Sequence, residues 1–121
     1  MKKFRFREFP VYQKSREFRK EVKIFVKVKF PQEERFSLTL QLYRALNSII
    51  LNIAEGADRG TDKDFAHFLN LSHTSLNEVV ACLDCALDDE YISREEHQSY
   101  LEKAEDIGNQ LTAFRKKLLN P

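Results

Sequence analysis

The chain has 121 residues, 42% apolar and 32% charged, with a formal net charge of +1. That length supports one domain with its own core, and the balance excludes disordered and collagen-like classes. Only two Cys among so many residues also excludes a disulfide-stapled scaffold.

Charge is nonetheless uneven. Through Lys29 there are eleven Lys/Arg against three Asp/Glu (+8), and beyond it nine against sixteen (−7). Such a split provides either a basic face for nucleic acid or two elements that attract one another within the fold. The start, MKKFRFREF, is too charged for the apolar core of a signal peptide. The uncharged run from Ala45 to Ala54 is far short of a membrane span. A cytoplasmic protein is expected.

In chain order, residues 1–8 alternate basic and aromatic side chains and read as either a short arm or a frayed strand; as a flexible basic arm it spans 1–9, and its Phe4 and Phe6 either stack on unpaired bases or cap the bundle. Pro10 suits a helix start. From there Val11, Ser15, Phe18, Val22, Phe25 and Val26 recur at helical spacing, with Lys14, Arg16, Lys20, Lys23 and Lys27 between them. This helix should run to about Val28 and stop before Phe30-Pro31.

A second helix is expected from within Gln32–Phe36 to Ala57. It carries two apolar stripes, one through Leu38, Leu42, Ala45, Ile49 and Ile53, the other through Leu40, Tyr43, Leu46, Ile50 and Ala54. A narrow polar line remains: Ser37, Gln41, Arg44, Ser48, Asn52 and Glu55. A helix apolar over most of its circumference is buried on more than one side, so a partner subunit is expected on the second stripe. The polar line either fixes register through hydrogen bonds to neighbouring helices or lines the inner surface of a ring.

Gly56 and Gly60, flanking Arg59, mark a reversal. Thr61 then caps a third helix, with Asp64 placed to reach back. Phe65, Leu69, Ser72, Leu76, Val79, Leu83 and Ala86 hold a seven-residue repeat along it, the seam of near-parallel helix packing. Asp88-Asp89-Glu90 closes it unfavourably for the macrodipole, and the basic first helix is the expected relief. Ser93-Arg94-Glu95-Glu96 is a capping box. It opens a fourth helix to about Leu119, with Tyr100, Ala104, Ile107, Leu111, Phe114 and Leu118 as its seam. The fold class is all-α, a single antiparallel up-down-up-down four-helix bundle over residues 1–121.

Chemical motifs are sparse. Cys82-Leu83-Asp84-Cys85 has the C-x-x-C spacing, but no second pair completes a zinc site and the pair sits late in a helix beside acids. Asp64-x-x-His67 is one step where a di-iron bundle needs paired Glu-x-x-His steps. His67, His73 and His97 read as solvated. No catalytic residue, metal ligand or cofactor is expected, and the protein reads as non-enzymatic.

Several segments carry a resemblance: Phe30 to Phe36 (FP-x-EERF), Arg44 to Ile49 (RA-x-x-SI), Asn52 to Gly56 (NIAEG) and Lys63 to Leu69 (KDF-x-x-FL), then Ser75 to Glu78 and Tyr91-Ile92. In these the chain resembles the small bacterial four-helix-bundle family that includes proteins encoded within intervening sequences of large-subunit ribosomal RNA genes. The resemblance implies an antiparallel four-helix bundle, a ring-like pentamer, no enzyme activity, and an interface role for Arg44, Ser48, Asn52, Glu55, Gly56 and Arg59. A more remote relative, the accessory bundle of diversity-generating retroelements, implies nucleic-acid binding through a basic surface. Ile50-Leu51 stands where many members have Pro-Ser, which removes a kink and adds apolar surface. The function expected is RNA or DNA binding by a homo-oligomer through Lys14, Arg16, Lys20, Lys23 and Lys27; the alternative is a protein-binding scaffold.

Overall fold

Pro10 opens the first long helix as its fixed φ and missing N–H allow, giving α1 over Pro10–Lys29. The structure, a computed structural model, describes residues 3–121. Around α1 are a 3-10 turn at Arg5–Glu8, a second at Gln32–Glu34, then α2 (Leu38–Ala57), α3 (Asp62–Asp88) and α4 (Arg94–Leu119).

The helices alternate in direction, as their cross-links show. Arg19 and Lys23 of α1 meet Asn47 and Tyr43 of α2, while Ser72 and Ser75 of α3 meet Ile49 and Ser48. Asp84 of α3 meets His97 of α4, and Lys29, Glu21 and Lys14 of α1 meet Glu96, Lys103 and Asp106. His73 of α3 lies beside Gly108 of α4 as a second link for that pair, and in every pair one number rises as the other falls. α2 and α4 are therefore each packed between α1 and α3, which face one another across the bundle diagonal.

The heptad positions of α3 are all buried, and Ala104, Ile107 and Leu111 of α4 close on them. Ser72 fits this seam because its hydroxyl donates to the Ile49 carbonyl oxygen at 2.6 Å, so a buried polar group keeps a partner. The Ser15 hydroxyl, also in the core, has none among the described residues.

Both capped starts form. Thr61 Oγ1 accepts from Asp64 N–H at 3.1 Å, and Ser93 and Glu96 complete a reciprocal box. Asp64 does not reach back to Thr61; its carboxylate lies toward Arg59 instead, at 4.0 Å. The Glu96 carboxylate is held below its usual range, first by the Ser93 backbone N–H and then by Lys29. Because the folded value is depressed, this stabilisation is present above the ordinary carboxylate value and fades as pH falls through the lower one.

The second helix starts later than its pattern implies. The chain makes a 3-10 turn after Pro31, Ser37 leaves helical geometry (φ −126°, ψ −106°), and α2 begins at Leu38 with Glu34 Oε1 accepting from its N–H at 3.4 Å. Tyr91 pins this connection to the far loop by donating to Glu34 Oε2 at 2.5 Å, which pushes the phenol up to about 12. From there α2 runs unbroken through Ile50-Leu51.

The relief expected for Asp88-Asp89-Glu90 does not come from α1. Lys29, at the same end of the bundle, pairs with Glu96 at 3.0 Å because α4 is its neighbour and α3 is not. The end of α3 is instead closed by its backbone: Tyr91 N–H reaches the Ala86 carbonyl oxygen and Glu90 N–H that of Leu87, with Glu90 left-handed at φ 64°. This is the usual glycine position of a helix C-terminus. Glu90→Gly is expected to stabilise the protein by about 1 kcal/mol, since it relieves left-handed strain and removes an acid from the negative helix end. A midpoint of chemical unfolding that fails to rise would refute that account.

Candidate nucleic-acid interface

At 100° per residue, Arg16, Lys20, Lys23 and Lys27 fall within an arc of about 60° on α1, opposite the core positions Val11, Phe18 and Val22. Lys14 lies across the helix from them. The structure agrees with that division. Lys14 points to α4, 3.6 Å from Asp106, and belongs to a cleft of about 340 Å³ lined by two cations, Lys14 and Lys103, and four carboxylates, Glu17, Glu21, Glu102 and Asp106. Glu21 and Lys103 pair across it at 2.7 Å. That flank matches its cations with a surplus of carboxylates.

The other flank does not. Lys20 and Lys27 are exposed and form no ion pair or hydrogen bond among the described residues. Lys23 lies over the Tyr43 ring at 4.7 Å and Arg16 over Tyr12 at 5.9 Å, contacts that orient a cation without cancelling its charge. Arg19 joins them. It donates through Nε to Asn47 Oδ1 at 2.8 Å, a neutral acceptor that leaves the guanidinium charge uncompensated. The sequence candidates leave out Arg19, which lies about 40° outside that arc on the side toward α2.

The basic arm is built into the fold from Arg5 onward; residues 1 and 2 lie outside the described residues. Arg5 donates to the Ala57 carbonyl oxygen at 2.7 Å and lies over the rings of Phe9 and Phe65. Phe9 packs on Phe65 and Phe114, and Phe6 sets its edge against Tyr12 at 5.0 Å. Apolar burial and one helix-end carbonyl oxygen thus hold the segment across the base of the bundle, leaving Phe4 exposed.

The polar line of α2 separates into two groups. Ser48 and Ser75 share a hydrogen bond at 2.8 Å, and Asn52 Nδ2 donates to Ser48 at both its carbonyl oxygen and Oγ. These fix the register of α2 against α3. Gly56 belongs with them. It is helical, not a turn residue, and a Cβ there would lie 2.6 Å from Phe68 Cβ. Arg59 closes the reversal by lying over the Phe68 ring at 4.9 Å. Arg44 and Glu55, in contrast, are exposed and unpaired among the described residues.

The second apolar stripe is largely taken up within the subunit. Leu46 is buried, Tyr43 packs on the core beneath Lys23, and Leu40, Ile50 and Ala54 are half-buried. The surplus apolar surface lies elsewhere: Leu51 on α2, Ile24 (59% exposed) and Val28 (76%) as a pair on α1, and the single Phe36 (78%) ahead of α2.

The remaining groups offer little chemistry. Burial pushes the Cys82 thiol up to about 11, which keeps it protonated near neutrality; Cys85 is exposed and free. His97 is not solvated: its side chain is 14% exposed and lies 2.7 Å from Asp84, joining α3 to α4. No group of three or more His, Cys, Asp or Glu among the described residues could hold a metal, and no described helix is long and apolar enough to cross a membrane.

Comparison with known proteins places this architecture. No curated protein matches the chain. A crystal structure from Bacteroides thetaiotaomicron, described as a protein of unknown function from the S23 ribosomal protein family, superposes with a TM-score of 0.79 at 28% identity, covering 88% of this chain and 98% of that one. The model of the family described as 23S rRNA-intervening sequence protein matches residues 7–113. With the bundle, its seams and this match together, the chain belongs to the 23S rRNA-intervening sequence protein family.

Proposed function

We propose that this protein is a non-enzymatic binder of nucleic acid or ribonucleoprotein, acting through the outer α1 face formed by Arg16, Lys20, Lys23 and Lys27. The observation that carries the reading is asymmetry within one helix. Cations on the α4 flank are matched by carboxylates, whereas Lys20 and Lys27 meet none. Unmatched cations along a rigid helix are what a phosphate backbone requires, and they position a strand without reading its bases. Self-association, also proposed, would repeat the face and multiply weak contacts. The apolar pair Ile24 and Val28 is its expected seat.

The test uses Lys20→Gln together with Lys27→Gln, because neither side chain supports the fold. Filter binding to a short RNA across a range of salt concentrations should show affinity falling steeply with salt. The double variant should lower the slope of log affinity against log salt by roughly 1.4–1.8, at about 0.7–0.9 per lost phosphate contact. Its melting temperature should not change. Wild-type protein that binds no nucleic acid at about 50 mM salt would end the reading.

A further inference from the structure

The N-terminal turn holds an exposed aromatic ring in an unfavourable place. Phe4 has left-handed backbone geometry (φ 58°, ψ 43°) and is 69% exposed. Neither its backbone nor its ring is at its solvation or steric optimum, and such positions collect at binding sites. Its ring touches Phe6 edge-on at 6.3 Å, Phe6 touches Tyr12 at 5.0 Å, and Arg16 lies over Tyr12. An unbroken ladder of rings therefore leads from the basic stripe of α1 to Phe4.

Phe4, Arg5 and Phe6 line an open cleft of about 830 Å³ together with Leu51 and Ala54 of α2, and Arg5 is engaged there by the Ala57 carbonyl oxygen. This volume lies within the range of small-molecule sites. Lys3 also lines it, as do Glu55 and Asp58 at the end of α2. Neither carboxylate has an ion pair or hydrogen bond among the described residues. Apolar walls with a free aromatic face suit a flat ring. Carboxylates repel phosphate but accept from the amino group of a base, as they do from cytosine N4.

We propose that this cleft receives an unpaired base of a single strand whose phosphates run along Arg16, Lys20 and Lys27, stacked on Phe4 and held through its amino group by Glu55. The inference rests on the nucleic-acid reading above and narrows it to unpaired strands that offer amino-bearing bases. A duplex has no free base face to give, and uracil lacks the amino group.

Fluorescence anisotropy with labelled oligocytidylate, oligouridylate and an RNA duplex, all of equal length, tests it at low salt. Wild-type protein should bind oligocytidylate tightest. Phe4→Ala should weaken that binding by about tenfold or more, leave the salt slope and duplex binding unchanged, and be rescued by Phe4→Tyr. Glu55→Ala should narrow the preference for oligocytidylate over oligouridylate. If Phe4→Ala binds oligocytidylate as wild type does while Lys20→Gln with Lys27→Gln loses binding, the cleft inference falls and the basic face stands. If wild-type protein binds none of the three, both fall. Melting curves guard the comparison, and Phe4 is exposed enough that its replacement should leave them unmoved.

Discussion

Gly56→Ala is expected to destabilise the bundle by about 1–3 kcal/mol, measured as a lower denaturant midpoint with an unchanged slope. Helix propensity alone predicts the opposite sign, since Ala inside a helix is favoured over Gly by about 1 kcal/mol. Sterics should win because of what a new Cβ would meet: Phe68 Cβ at 2.6 Å, Phe65 Cδ1 at 3.1 Å and the Phe65 carbonyl oxygen at 3.4 Å. The first of these is fixed to its backbone and cannot swing aside. Relief requires α3 to move away from α2 at the point where the two helices approach closely, which loosens Phe65, Leu69 and Ile53 behind it. Gly60 is the control. Nothing lies within 4 Å of its Cβ position and its φ is not positive, so Gly60→Ala should be neutral or stabilising by up to about 1 kcal/mol. A Gly56→Ala protein at least as stable as wild type would remove close helix approach as the reason for glycine there.

That contrast shows what could be read from the chain and what could not. The seams of α3 and α4, the Ser93 box and the Thr61 cap were legible because helical period and capping chemistry are local, spanning a turn or two. Gly56 was read as a turn residue because it lies near Gly60 in sequence; its actual cause, Phe68, sits on the next helix. The left-handed Glu90 left no signal, since a non-glycine at that position obeys tertiary closure over local preference. The fate of charges was harder still. Helical period puts Lys14 and Lys20 on different sides of α1 but does not say that one meets Asp106 and the other solvent. Only the order of helices around the bundle decides which. The same order explains why Lys29 reached Glu96 and not the acids ending α3. It also explains the second stripe of α2: α1 lies beside it, through Lys23 over Tyr43 and Arg19 on Asn47. Of the candidate site, the basic arc was readable as a pattern of residue types. The cleft at Phe4 was not, because it joins residues 3–6 to the end of α2.

Ile24→Glu combined with Val28→Glu is expected to abolish self-association while leaving each subunit folded. The two side chains are one helical turn apart on α1, so they form a single patch. Both are mostly exposed in the subunit, and substitutions at such positions change folding stability by only about 0.5 kcal/mol or less. Between subunits the balance differs. A carboxylate desolvated without a partner costs several kcal/mol, and about 1.4 kcal/mol is tenfold in an association constant. Two of them should therefore weaken assembly by roughly two orders of magnitude or more. Ile50→Glu separates this seat from the one the apolar stripes of α2 imply. Ile50 is half-buried within the subunit, so its replacement should lower the melting temperature as well as any assembly. Sedimentation across a concentration series, run beside melts of the three proteins, gives both readings at once. A wild-type protein that stays monomeric at micromolar concentration would end the proposal of self-association. A double variant that sediments as wild type does would move its seat away from α1, with Leu51 as the remaining exposed apolar side chain on α2.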